Sequence, residues 1–313
     1  MKNIPATIQI KMLWRGAFCA LLLFVGGNVT RAQDSDYAVF VSQREGVTEL
    51  FTINLQTRQV SQLTQSGRGH LTPAAAYSSR EIVFAAQEGS NFELFSAQVA
   101  TSWRARRPTL VGLQRLTMDI VDEVSPTISA NGVLVAFASG AGLELMTMNG
   151  GGRQIVLTND GEHRDYCPAI APDGKQIAFI SNRNGSEEIW LVNVATGALR
   201  QLTADAQPLG GLSWSADGLQ LAFTSANTKT KLTGIALADI TSGVFRLLTD
   251  NGDSNPALSA RGDRLLFTSQ RDGDPEIYLL TLGTGVAERL TRSAGLDDGA
   301  VFLPASAMPS RQQ

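Results

Sequence analysis

The chain has 313 residues, with 26 Lys plus Arg against 29 Asp plus Glu, two His and a net charge of −3. Neither an excess of base nor a basic run supplies the clustered positive face that a phosphate backbone requires, which excludes nucleic acid as a partner. Two cysteines, Cys19 and Cys167, exclude a disulfide-stapled scaffold, so cohesion has to come from packing.

Residues 1–32 read as a targeting segment. They carry Lys2, Lys11, Arg15 and Arg31 and no acid, and Gly16 to Val25 forms an apolar run that suits a signal sequence. That run is short for a lone span, although a short membrane anchor has the same look. Thr30-Arg31-Ala32 offers a cleavage point. Cleavage there would leave 281 residues with 22 bases against 29 acids, a charge of −7, no membrane span, and Cys167 as the remaining cysteine. The expectation is an exported chain, periplasmic or secreted, with one domain over residues 33–304 and a disordered tail over 305–313.

Within that domain the pair Leu-Thr recurs at Leu63-Thr64, Leu116-Thr117, Leu157-Thr158, Leu202-Thr203, Leu248-Thr249 and Leu290-Thr291, at intervals of 53, 41, 45, 46 and 42 residues. Between successive pairs runs Pro-x-x-Ser/Ala-x-x-Gly-x-x-x-x-Phe, fullest from Pro168 to Phe179. Related copies start at Pro126, Leu212 and Pro256, and a degenerate one starts at Pro73. Asp173-Gly174, Asn131-Gly132 and Asp217-Gly218 suit tight hairpins, and the flanking runs are rich in β-branched and aromatic residues. A third strand follows each Phe strand, as in Glu188 to Val192, and a fourth ends in Leu-Thr. Four strands per repeat is the period of a propeller blade, and no helical periodicity competes. The fold expected is all-β, a six-bladed β-propeller with four-stranded blades.

The first copy begins at Tyr37-Ala38-Val39-Phe40 without an inner strand ahead of it, while Asp297 to Pro304 matches the start of a seventh copy and stops. The C-terminal strand should therefore complete the first blade, which removes an open edge and ties the ends of the ring.

The run from Pro168 through Asp173-Gly174, Phe179, Ser181, Arg183 and Gly185, with Ile189-Trp190 and Leu202-Thr203 behind it, resembles the propeller repeat of TolB, the periplasmic component of the Tol-Pal envelope system. The resemblance covers residues 37 to 304 and implies a periplasmic module that binds a protein. Counted from the expected cleavage point, the chain departs from TolB in having the propeller without the α/β domain that precedes it there. Propellers of this repeat also accompany peptidases and sugar-degrading enzymes.

Three residues before each Pro-equivalent, at the mouth of the channel, stand His70, Glu123, Asp165, Leu209, Asp253 and Asp297. His70, Glu123, Asp165, Asp253 and Asp297 are the candidate partner-binding residues: an acidic funnel would draw in a cationic segment of a partner, or a calcium ion. Each Asp is equally a turn residue bonded to local backbone. Arg44, Arg183 and Arg271 should open on the same face, solvated or paired with an aspartate of a neighbouring blade. Replacing Asp165, Asp253 and Asp297 by Asn should weaken capture and leave the fold intact.

No Gly-x-Ser-x-Gly elbow is present, and His163 with Cys167 is the densest polar cluster. Cys167 reads as a small core residue, Trp190 as a core residue of a third strand, and Trp103 as part of a basic insertion, Thr101 to Pro108. The chain reads as no enzyme, a monomer whose partner is a periplasmic or envelope protein or peptide, in envelope maintenance or translocation. A carbohydrate-active or carbohydrate-binding propeller is the alternative, because a ring of acids can place two carboxylates at catalytic separation.

Overall fold

The structure is a computed structural model that describes residues 34–304 apart from 72, 102–106, 160 and 228. The expected signal segment, the tail and Trp103 lie outside the described residues. The first three strands are β1 (Asp34–Glu45), β2 (Val47–Asn54) and β3 (Val60–Gln62). Blade two follows as β4 (Ala74–Ala75), β5 (Glu81–Glu88), β6 (Asn91–Thr101) and β7 (Pro108–Arg115), and blade three as β8 (Val124–Ile128), β9 (Leu134–Ser139), β10 (Gly142–Thr147) and β11 (Gln154–Thr158). Blade four holds β12 (Asp165–Ile170), β13 (Gln176–Ser181), β14 (Glu188–Asn193) and β15 (Leu199–Gln201). Blade five holds β16 (Pro208–Trp214), β17 (Gln220–Ala226), β18 (Thr233–Asp239) and β19 (Phe245–Leu247). Blade six holds β20 (Asp253–Leu258), β21 (Arg264–Ser269), β22 (Glu276–Thr281) and β23 (Val286–Arg289). The last strand, β24 (Asp297–Pro304), pairs antiparallel with β1 through Ala38↔Phe302 and Val39↔Val301 and completes blade one as its inner strand. All six sheets have four strands, and among the described residues no helix is long and apolar enough to cross a membrane.

The repeated phenylalanine is the centre of each blade. Phe40, Phe84, Phe137, Phe179, Phe223 and Phe267 all lie on second strands and are buried. The apolar clusters sit between blades, not within them: Phe223 packs with Ile189, Leu191 and Leu202 of blade four, and Phe40 with Leu266, Ile277 and Leu290 of blade six. Each sheet face is too small to bury itself, so neighbours supply the core, and six such interfaces around a ring leave no blade without two partners.

The Leu-Thr marker has a specific job. The Thr203 hydroxyl accepts from the Ile189 amide at 3.0 Å and donates to the Glu188 carboxylate at 2.7 Å, which ties the end of β15 to the start of β14. Thr117 with Glu93 and Thr291 with Glu276 repeat the same pair of bonds, and Thr64 with Glu49 does so in blade one. The leucine of the pair is buried against the adjacent blade, as at Leu202 and Leu290.

Inner strands share a kink. Ser125, Cys167, Gly211, Asn255 and Gly299, each one residue before the Pro-equivalent, have positive φ between 49° and 62°, and the register with the second strand slips there. Such a bulge twists the inner strand and turns the following residues along the channel wall.

Candidate functional site

The six inner strands line one central cavity of about 220 Å³. Its far end is bridged by Tyr77, whose hydroxyl leaves blade two and donates to the carbonyls of Trp214 and Leu258 on blades five and six. Trp214 is itself fixed by a bond from its indole N–H to the Ala169 carbonyl at 2.8 Å, across the junction of blades four and five. At the near end stands the ring of kinked residues, with the Asn255 side-chain amide donating to Asp298 at 2.8 Å. Among the described residues lining the cavity none is charged.

The candidate residues do occupy equivalent places at the starts of the inner strands, but they do not face the channel with free charge. Asp253 and Asp297 are 0 % exposed, and Asp165 is largely buried. Each is held by both carboxylate oxygens: Asp253 by Arg271 at 2.9 and 2.9 Å, Asp297 by Arg44 at 3.0 and 2.9 Å, Asp165 by Arg183 at 2.8 and 2.9 Å. The arginine comes from the end of the second strand or the hairpin after it in the same blade, not from a neighbouring blade. Its Nε donates to the serine two residues before it, Ser269, Ser42 or Ser181. Its guanidinium lies over two rings, Phe267 and Tyr278, Phe40 and Phe51, or Phe179 and Trp190, at 4.8–5.9 Å. A buried carboxylate needs such a partner, and one guanidinium nitrogen shared by both carboxylate oxygens, with ring stacking, provides it. The expected acidic funnel is therefore, in three blades, a set of closed ion pairs.

The other three blades vary the clip. In blade two, buried His70 has Nε2 3.0 Å from the Glu49 carboxylate and 2.9 Å from the Ser66 hydroxyl, and burial holds its pKa below the ordinary histidine value. Blade five has Leu209 at this place, exposed and without a counterpart. In blade three Glu123 is 0 % exposed, and one guanidinium, Arg153, serves three carboxylates: Glu144 at 2.6 Å, Glu123 at 3.3 Å and Asp119. Burial, and then a hydrogen bond shared with the Asp119 carboxyl, push Glu123 up to about 8, while that same bond and Arg153 hold Asp119 below the usual carboxylate range. The pair holds one proton between two carboxyls near neutral pH.

Cys167 lines the cavity and is not a core residue, with Ser125 and Gly211 beside it, and burial pushes its thiol up, away from the thiolate that nucleophilic chemistry needs. Trp190 is likewise only half-buried, beneath Arg183. Calcium at the mouth would find the Asp165, Asp253 and Asp297 oxygens already bonded to arginine. Among the described residues no group of three or more His, Cys, Asp or Glu is placed to hold a metal ion. Sequence reasoning missed Tyr77 and Trp214 as the channel floor. Tyr77 follows the most degenerate copy and has no counterpart in the others, so no repeat signal marks it.

No protein-family model matches the chain. Over 135 residues, 42 % of its length, it is 33 % identical to the TolB homolog of Chlorobium chlorochromatii (strain CaD3), a stretch that spans 29 % of that relative. TolB from Acinetobacter baumannii has the same fold with a TM-score of 0.70 at 17 % identity, over 88 % of this chain and 67 % of that one. An oligogalacturonate lyase from Vibrio parahaemolyticus also shares it, with a TM-score of 0.52 at 15 % identity over 80 % of this chain and 88 % of that one. Identities this low speak for architecture and not for activity. The repeat from Pro168, the closing of blade one by the last strand, and both TolB likenesses make this chain a TolB-like six-bladed β-propeller.

Proposed function

We propose that the chain is an exported, periplasmic and non-catalytic binding module, a monomer in which a segment of an envelope protein or peptide enters the mouth of the central channel, in a role of the Tol-Pal kind. The observation that carries this reading is the channel itself: a cavity that runs along all six inner strands, is bridged at its far end by Tyr77, and has no charged group among its described lining residues. Such an uncharged, polar-rimmed cavity suits an uncharged stretch of chain, with backbone groups and small polar side chains meeting Ser125, Thr127 and Asn255 at its wall. A carbohydrate-active reading would need two carboxylates facing a sugar across the cavity. The TolB likenesses support a protein as the occupant.

Cys167 makes the test direct. In a chain carrying Cys19→Ser, alkylation by N-ethylmaleimide at alkaline pH, where the raised Cys167 thiol can ionise, confirmed as a single adduct by mass spectrometry and followed by return to neutral pH, fills the channel without altering its outer surface. Envelope proteins captured by the untreated chain and lost after alkylation are the expected result. Identical capture before and after would place the interface outside the channel, and retention of oligosaccharides alone would favour the sugar reading.

A further inference from the structure

At the mouth-side start of the inner strands, blades one, four and six place a carboxylate held by a guanidinium. Blade two places a histidine there, the side chain whose ordinary titration lies nearest neutral pH. His70 is 4 % exposed and joins two blades. Its amide donates to the Thr48 carbonyl of β2 at 2.9 Å, its carbonyl accepts from the Thr48 hydroxyl at 2.8 Å, and it bridges across blade two to Ala86 of β5. The ring packs on Phe84, with centroids 5.4 Å apart.

The two ring nitrogens differ. Nε2 meets the Glu49 carboxylate and the Ser66 hydroxyl, and a carboxylate only accepts, so it selects the tautomer with the proton on Nε2. Nδ1 is then a bare acceptor, buried and without a hydrogen-bond partner among the described residues. A second proton has to go there and makes a buried N–H that nothing receives. The charged groups around the ring are Glu49 on β2, Arg68 on the connection and Glu88 on β5, which pairs with Arg68. Glu49 favours the second proton and Arg68 opposes it, but burial outweighs Glu49 and holds the ring neutral below its ordinary range. What His70 secures is a slight ladder. β4 has two residues, against five to eight in the other inner strands, and pairs with β5 through Ala74↔Val83 and Ala75↔Ile82. A ladder this short has little protection of its own, so the hold at its end decides whether it stays closed. Just beyond it stands Tyr77, whose hydroxyl reaches across to blades five and six.

We propose that His70 is an acid-sensitive latch on the inner strand of blade two, whose protonation frees the chain between His70 and Tyr77 and so loosens one wall of the channel. The latch needs no occupant in the channel and stands or falls apart from the binding reading. Its sign follows from the neutral ring. Below about 6.5 the freed histidine binds a proton that the latched one refuses, so the contribution is whole above that pH and is lost as pH falls through the lower, latched value.

Hydrogen exchange of the full chain, read by mass spectrometry at pH 7.5 and pH 5.5 and corrected for intrinsic rates, tests this. Between the two pH values the stretch 69–77 should lose severalfold in protection, at most about tenfold, the factor for a freed histidine one unit below its midpoint. The matching stretch 252–259 of blade six, behind the Asp253–Arg271 pair, should keep its protection and serves as the control. His70→Gln keeps a donor for Glu49 but takes up no proton, so its stretch 69–77 should be indifferent to pH. Equal loss in both stretches, no loss in 69–77, or the same loss in His70→Gln would each overturn the proposal. If His70→Gln lacks the circular dichroism spectrum of the parent, the ring itself decides. Its titration in the parent is followed by NMR, with His163→Gln to assign the resonance: a midpoint below about 6.5 supports the latch, and one at or above that value overturns it.

Discussion

Glu123 stands where Asp165 and Asp253 stand in their blades, yet the β9–β10 hairpin, Gly140-Ala141, has no arginine to meet it. Arg153 reaches in from the side of β11 instead and is shared with Glu144 and Asp119. The consequence is a carboxyl that keeps its proton when folded and loses it when unfolded. With the folded value raised to about 8, the folded state binds the extra proton between the unfolded carboxylate range and that value, so this contribution to stability is complete in acid and declines as pH rises through the window. Glu123→Gln cannot ionise, and its melting temperature relative to the parent should rise by several degrees between pH 5 and pH 8, read by circular dichroism at matched ionic strength. A constant difference would mean that Glu123 is ionised in the folded ring. The same residues show what the sequence could give. The positions of His70, Glu123, Asp165, Asp253 and Asp297 were legible because a repeat fixes equivalent places. Their ion pairing was legible only as one alternative and with an aspartate of the wrong blade, since the pairing within a blade needs the hairpin to fold the arginine back over two rings. One trace was available: Asp165 to Arg183 and Asp253 to Arg271 are both 18 residues apart. The geometry also revises the expectation for the triple Asn change, which would leave three stacked guanidiniums without counter-charge and therefore weaken the fold.

At the scale of elements, the strands were read closely because Phe, Gly and Leu-Thr recur in phase, and the third strand of blade four begins at Glu188 as expected. The exception is β4, two residues long, from the copy whose pattern is most degraded. The reason for Leu-Thr lay beyond sequence, since it depends on which group the hydroxyl meets. Four blades place a glutamate at that meeting point, Glu49, Glu93, Glu188 and Glu276, whereas blade five has Gly234, where a Cβ would stand 2.0 Å from the Thr249 carbonyl oxygen. The Thr249 hydroxyl therefore has its bond from the Ile235 amide, at 3.2 Å, and no carboxylate to donate to among the described residues. Thr203→Val should cost about 2–3 kcal/mol, because it leaves the buried Glu188 carboxylate with only the longer bond from the Ala206 amide, at 3.3 Å, and unpairs the Ile189 amide, and Thr249→Val about 1 kcal/mol. Urea unfolding at equal protein concentration would separate them; equal costs would show that Glu188 finds another donor.

At the scale of the whole molecule, stability resides in the interfaces between blades, so the ring depends on its seam. Deleting residues 297–313 removes Ala300 and Phe302 from the core shared by blades six and one and exposes the inner edge of β1. That chain should lose its sharp denaturant transition, whereas deletion of 305–313 should preserve it; a sharp transition in both would mean that five complete blades suffice. The seam also has a direction. Ser42 pairs with Asp297 at the mouth, and Asp34 pairs with Pro304 at the opposite end of the same ladder. Both ends of the described chain thus leave the ring side by side, away from the mouth. Tension applied between them would load the β1–β24 rungs one after another from the Asp34 end, as a zip is opened, and would part this junction before straining the other five blades.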